Sequence, residues 1–335
     1  MGTEKSRKTP SPLVQFNIKA GIEMLLKEIL EVYEIMDDPR VNGESVVAYL
    51  KGIDPEADVE TYPLAGPKGI THMVKCRIAG SSGKTAGGKA PTLGILGRLG
   101  GIGARPELVG FVSDGDGALI AIAVAAKILN MKKKGDVLEG DVFISTHICP
   151  DAPTSPHKPV PFMGSPVEMA QVNAEEVSDE LDAILSVDTT KGNRIIKHRG
   201  FAISQTVKSG YILKASDGLL DVMERVTGDH PYVFPVNMLD ITPYGNDVFH
   251  INSIMQPCTC TQAPVVGVAI TTETVVAGCA TGATRYDDVE SAARFCLEVA
   301  KDFGKGIISF YDEKEFAHMQ ELYGSMEILQ TLGKK

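Results

Sequence analysis

The chain has 335 residues, of which 43% are hydrophobic and 23% charged, and its 33 Lys and Arg are outnumbered by 43 Asp and Glu, a formal net charge of −10. That much apolar surface excludes wholesale disorder. The acidic balance, with Lys132 to Lys134 as the only short basic cluster, excludes nucleic acid and anionic lipid as natural partners, so a small molecule or a peptide is the expected ligand. The longest apolar stretch, Ala118 to Ala126, is about half of a membrane span and is closed at once by Lys127, so no transmembrane helix is expected. Met1 to Lys8 has neither the apolar run nor the cleavage site of a secretory signal, which makes the cytoplasm the expected compartment. The cysteines at 76, 149, 258, 260, 279 and 296 show no CxxC spacing, so neither a disulfide framework nor a structural zinc knot is expected.

In chain order, residues 1–12 read as a disordered tail, and apolar positions Ile18, Ile22, Leu25, Leu26, Ile29 and Tyr33 keep helical spacing from about Leu13 to Glu34. Glu44 to Leu50 reads as a second helix. Val59 and Thr61, then Val74, Cys76 and Ile78, alternate as strands with one wet face. Gly80 to Gly88 reads as a flexible hairpin loop. Thr92–Leu96, Leu108–Val112, Val142–Ser145 and Ala183–Val187 are continuous apolar runs, which suit central strands covered on both faces. Between them a helix is expected from Gly117 to Asn130. Further strands are expected near Phe201–Val207, Val248–Ile254 and Val265–Ile270, and helices at Tyr286–Phe303 and Lys314–Tyr323. The pattern is α/β, a mixed and mostly parallel central sheet flanked by helices.

In such sheets chemistry gathers at the carboxyl ends of strands. Ser113-Asp114-Gly115-Asp116-Gly117 places Asp114 beyond an expected strand at a helix start, where it suits either a metal-bridging carboxylate or a helix cap. His147, Cys149 and Asp151 follow another strand; they read as ligand or acid–base types, or as a stiff loop with a buried histidine. Asp188 ends a third strand and reads as an acid site or an Asx turn. Asp247 and His250 share a turn-rich loop that is either a binding loop or plain surface. The glycines from Gly94 to Gly103 are followed by no helix before Pro106, which rules out a dinucleotide fingerprint.

The order of these motifs resembles the di-zinc exopeptidase superfamily, closest to its glutamyl aminopeptidase (tetrahedral aminopeptidase) branch and related zinc carboxypeptidases and aminoacylases. Asn42 to Leu50 resembles the family's early helical segment, Val112 to Ala118 its DxxG turn, Leu181 to Asp188 a later ligand strand, and Pro264 to Ile270 with the Asp288–Glu290 helix its C-terminal part. The resemblance implies a zinc-exopeptidase-like (phosphorylase/hydrolase-like) fold over residues 13–330 as a single domain. The stretch between Gly100 and Asp114 is too short for the inserted lobe of the tetrahedral aminopeptidases, since a separate domain takes about 50 residues. It maps metal ligation onto Asp114 and Asp188. Where the family has His-x-Asp, this chain has Arg98-Leu99-Gly100. Where the family has Glu-Glu, it has His147 and Asp151, and the final His is absent from Ala277–Ala283. The chain is therefore a divergent member lacking the usual His ligands.

Two functions follow. The first is a hydrolase acting on an amide bond of a small peptide or amino-acid derivative. Its rebuilt site has Asp151 and His147 as catalytic groups, Arg98, Asp247 and His250 for substrate, and Asp114, Asp188 and His147 around one divalent metal (zinc, cobalt or manganese) or none. The second is a catalytically inactive binder of a small anionic or amino-acid ligand, with Arg98 as the anchor or else paired with Asp114 or Asp188. Met24, Leu25 and Leu26 suit either core packing or a homo-oligomer interface.

Overall fold

A computed structural model describes residues 24–98, 100–101, 110–150, 152–156, 162–190, 194–273 and 284–333. Its strands are β1 (Asp58–Gly66), β2 (Gly69–Ile78), β3 (Thr92–Gly97), β4 (Gly100–Gly101), β5 (Asp141–Cys149), β6 (Thr154–Ser155), β7 (Phe162–Met163), β8 (Ala183–Thr189), β9 (Gly200–Ser204), β10 (Val207–Lys208), β11 (Tyr211–Ile212), β12 (Val233–Phe234) and β13 (Val265–Thr271). Its helices are α1 (Leu26–Asp37), α2 (Gly43–Ile53), α3 (Asp116–Lys133), α4 (Met169–Glu176), α5 (Asp217–Thr227), α6 (Tyr286–Gly304) and α7 (Glu313–Tyr323).

The main sheet runs β1-β2-β5-β3-β8-β13-β10-β11. At its centre β5, β3, β8 and β13 are parallel neighbours, while β1, β2 and β9 join antiparallel. This is the α/β, mixed sheet flanked by helices that the apolar runs imply. The central strands are apolar at successive positions because both faces are covered. On one face Leu93, Ile95, Val142, Ile144, Leu185, Val187, Val266 and Val268 meet α1, α2, α3, α5 and α6 in a single core. On the other, Leu96, Phe143, Ile184 and Ala269 pack with Phe234, Ile254, Met255 and Cys258.

The helix α3 is buried from Asp116 to Leu129, which is why its sequence is apolar all round rather than amphipathic. Among the described residues no helix is long and apolar enough to cross a membrane. Glycine lets the start of α3 sit directly on the strand ends. A Cβ on Gly117 would lie 2.5 Å from the Val187 carbonyl oxygen and 2.8 Å from that of Arg98, and one on Gly97 would lie 2.5 Å from the Gly117 carbonyl oxygen.

Several sequence expectations are corrected. Residues 80–88 are not a hairpin, because β5 lies between β2 and β3; the segment is pinned by Asp141, which accepts hydrogen bonds from Gly80 N (2.8 Å), Thr85 N (2.8 Å) and Thr85 Oγ1 (3.0 Å). Of the expected strand Leu108–Val112, residues 108 and 109 lie outside the described residues; Phe111 makes a β-bridge, and Val112 leads into a 3-10 turn, Ser113–Gly115, that opens α3. The segment 248–254 is no strand either. Its backbone is folded around the buried Asp240 carboxylate, which accepts from Ile251 N (2.7 Å) and Asn252 N (3.0 Å). The helices α4 and α5 were not expected. The first helix begins at Leu26 among the described residues, and the expected tail lies outside them.

Gly117→Ala is expected to lower stability by about 3 kcal/mol because its new methyl meets backbone on both strands. Gly52→Ala, in exposed helix with nothing within 4 Å of the added Cβ, is expected to raise it by about 0.5–1 kcal/mol. Thermal and denaturant unfolding of the two variants checks both signs.

Candidate functional site

Strand alternation places three of the expected residues on one face. Leu96 is in register with Ser145 and with Ser186, so Arg98, His147 and Asp188, each two residues further on, share that face at the carboxyl ends of β3, β5 and β8. The Arg98 amide continues the ladder by donating to the Val187 carbonyl at 2.7 Å. From the other side, α3 brings Asp114 and Asp116 to the same edge, both buried, and Thr284 Oγ1 donates to Asp116 at 2.7 Å.

Arg98 is 2% exposed. Its guanidinium donates to Glu176 and to Asn173 Oδ1 (3.0 Å) and touches the Met169 sulfur, all three on α4. Asn173 in turn donates to the Gln256 carbonyl at 3.2 Å. Burial raises the Glu176 carboxyl to about 7 against the opposing charges of Arg98 and Lys75. Its Oε1 is buried without a hydrogen-bond partner among the described residues. The expectation that Arg98 anchors a ligand, or pairs with Asp114 or Asp188, is thus corrected: α4 consumes its fork.

His147 is buried, and its Nδ1 lies 3.0 Å from Thr71 Oγ1 and 3.3 Å from Cys149 Sγ. Burial first, and then the Arg98 charge, lower its pKa to about 3. Burial pushes the Cys149 thiol up to about 12. Both groups are therefore neutral near pH 7 and form no thiolate–imidazolium pair. His147 and Cys149 lie within β5 rather than in a loop, which corrects the expectation of His147 as an acid–base group. Asp151 lies outside the described residues.

Asp188 is partly exposed, and its Oδ1 accepts from Thr189 N at 2.7 Å. Burial raises its pKa to about 6, helped by the Asp116 charge and opposed by the Thr189 hydrogen bond and by Arg98. Tyr244 is 41% exposed overall and lies within the field of Asp188 and Arg98; burial around its hydroxyl raises its pKa, opposed by Ser253. The His250 ring lies tilted at 60° to that of Tyr244 with centroids 4.7 Å apart, and its Nε2 sits 3.0 Å from the Thr242 carbonyl. Asp247 is exposed at a positive φ of 60° on the same loop.

Among the described residues no three His, Cys, Asp or Glu side chains are grouped to hold a metal ion. Asp114, Asp188 and His147 thus do not form the expected ligand set. Arg98, a permanent cation at the same edge, acts on both His147 and Asp188.

A family model matches residues 63–333. The chain belongs to DUF1177, a protein family of unknown function. No curated protein matches it. Among solved structures this DUF1177 chain is similar to a glutaminyl cyclase from an Acidobacteriales bacterium, at 14% identity and a TM-score of 0.49 over 91% of this chain and 100% of that one. The likeness is too distant to carry a residue role.

Sequence reasoning missed Glu176, Asn173 and Tyr244. The signal for Glu176 was the consecutive acids Glu175 and Glu176, of which Glu175 turns to Lys75 (3.3 Å) and Tyr62. Asn173 and Tyr244 gave none.

Arg98→Met is expected to cost the DUF1177 chain about 3–5 kcal/mol by leaving Glu176 buried and unpaired, while Arg98→Met/Glu176→Leu recovers most of it; equilibrium unfolding measures both. The Asp188 pKa is raised in the folded chain, so its contribution to stability is present below about pH 4 and is lost as pH rises through about 6. Asp188→Asn is therefore expected to be more stable than the parent at pH 7, by up to about 3 kcal/mol, with no gain at pH 4.

Proposed function

We propose that this protein is a hydrolase acting on an amide bond of a small peptide or amino-acid derivative, with Asp188 as its proton-transfer group. The observation that carries the reading is the Asp188 carboxylate itself. It stands partly open at the carboxyl end of β8, beside Tyr244, with a pKa of about 6. A carboxylate tuned toward neutrality by burial and a neighbouring acid suits general acid–base work near pH 7. The peptidase-like order of motifs supports the reaction class.

In this reading Asp188 takes a proton from water as its oxygen bonds to the amide carbon. The Tyr244 hydroxyl, kept protonated by its raised pKa, donates a hydrogen bond to the carbonyl oxygen as charge develops there. As the carbon–nitrogen bond breaks, Asp188 returns its proton to the leaving amine, so carboxylate and hydroxyl are both restored. Arg98 contributes by its field: fixed by Glu176 and Asn173, it opposes the repulsion between Asp188 and Asp116 without entering the reaction. His147 stays neutral and holds Thr71 and Cys149 in place.

The test is a mass-spectrometric product screen with aminoacyl amides, dipeptides and N-acyl amino acids. Turnover is expected, with kcat/KM rising with pH through about 6. Asp188→Asn is expected to lose about 100-fold or more while remaining folded, and Tyr244→Phe about 10-fold. A parent protein that turns over none of these compounds, or an Asp188→Asn variant with full activity, overturns the proposal.

A further inference from the structure

A cavity of about 310 Å³ lies between α4, the loop around Tyr244 and the 3-10 helix Ser253–Thr259. It is large enough for a single amino-acid residue. Two of its walls are also parts of the candidate site. Asn173 lines it and binds Arg98, and Tyr244 lines it and lies within the field of Asp188.

The chemistry of its walls is selective. Met169, Pro243 and the Tyr244 ring are apolar surface. The side-chain amides of the lining already donate to backbone carbonyls: Asn173 Nδ2 to Gln256 (3.2 Å), Gln256 Nε2 to Thr242 (2.9 Å), and Gln330 Nε2 to Cys258 and Thr261 (2.7 Å each). Gln256 Oε1 accepts from Tyr244 N at 3.2 Å. Glu168 is the one carboxylate of the lining and is exposed at the start of α4. The cavity therefore presents a negative charge and no cation among its lining residues. An anionic guest would be desolvated there beside a like charge, at a cost that an apolar guest avoids.

We infer that this cavity is the side-chain pocket of the site and selects amino-acid derivatives whose side chain is largely apolar and carries no negative charge, of about leucine to phenylalanine size. The inference rests on the amide-hydrolase reading for its substrate class, yet it can be measured by binding alone. Cys260 is exposed and lines the cavity, so a guest there shields its thiol.

The experiment follows N-ethylmaleimide alkylation of Cys260 by peptide mass mapping in a Cys279→Ser background, with leucine amide, phenylalanine amide and glutamic acid α-amide as probes. Leucine and phenylalanine amides are expected to slow alkylation by about fivefold or more at saturation and to raise the Tm, and glutamic acid α-amide to do neither. Met169→Trp is expected to abolish the protection with Cys260 still reactive. Equal protection by the acidic and apolar amides, or no protection by any probe, overturns the pocket. Protection without turnover sinks the hydrolase reading and leaves the pocket standing. Turnover of leucine amide with no protection of Cys260 and an unchanged kcat/KM in Met169→Trp does the reverse.

Discussion

The contact of glycine with backbone at the start of α3 is the constraint on which the site depends. Gly97 and Gly117 let the helix and the ends of β3 and β8 approach to a separation that no side chain permits. The close approach brings Asp116 at the start of α3, and Asp114 in the 3-10 turn before it, onto the edge from which Arg98 and Asp188 also project. The same packing buries α3 on every side, so the helix cannot shift without opening the larger core. Acidic groups are held near one another by apolar burial that has nothing to do with their charge.

That crowding makes the buried guanidinium of Arg98 the second determinant. Its positive charge lies in reach of Glu176, Asp188, Tyr244 and His147 at once. After burial, the larger cause, it helps keep His147 neutral, and it limits how far burial and Asp116 can raise Asp188. Among the described residues its side-chain hydrogen bonds go to α4, which holds it as a fixed field. A buried pair of this kind contributes little net stability. Its value lies in setting the charge of a small enclosed volume, where a screened surface pair would act weakly.

Much of the fold was legible because continuous apolar runs and helical spacing are local signals. The strands β3, β5, β8 and β13 and the helices α2, α3, α6 and α7 lie where composition and periodicity place them. The errors have physical causes. Phe111 and Val112 are apolar because they are buried ahead of the 3-10 turn that opens α3. Val248 to Ile254 has strand-like residues, but Asp240 collects its backbone amides into an irregular loop. The glycine-rich 80–88 segment looks mobile, yet a single distant carboxylate, Asp141, ties it down.

Length, composition and patterning were enough to establish an acidic α/β chain whose polar residues gather where parallel strands end, since burial on two faces leaves an imprint on every strand. They also located Asp114, Asp188, Arg98 and His147 along the chain. They could not assign partners, because a hydrogen bond between residues 98 and 176, or 71 and 147, joins segments with no local relation. Burial and those distant partners made His147 neutral, absorbed Arg98 into α4, left Asp188 as the open carboxylate, and placed Tyr244 beside it. A titratable side chain's chemistry is a property of its surroundings, and surroundings exist only after the chain has folded.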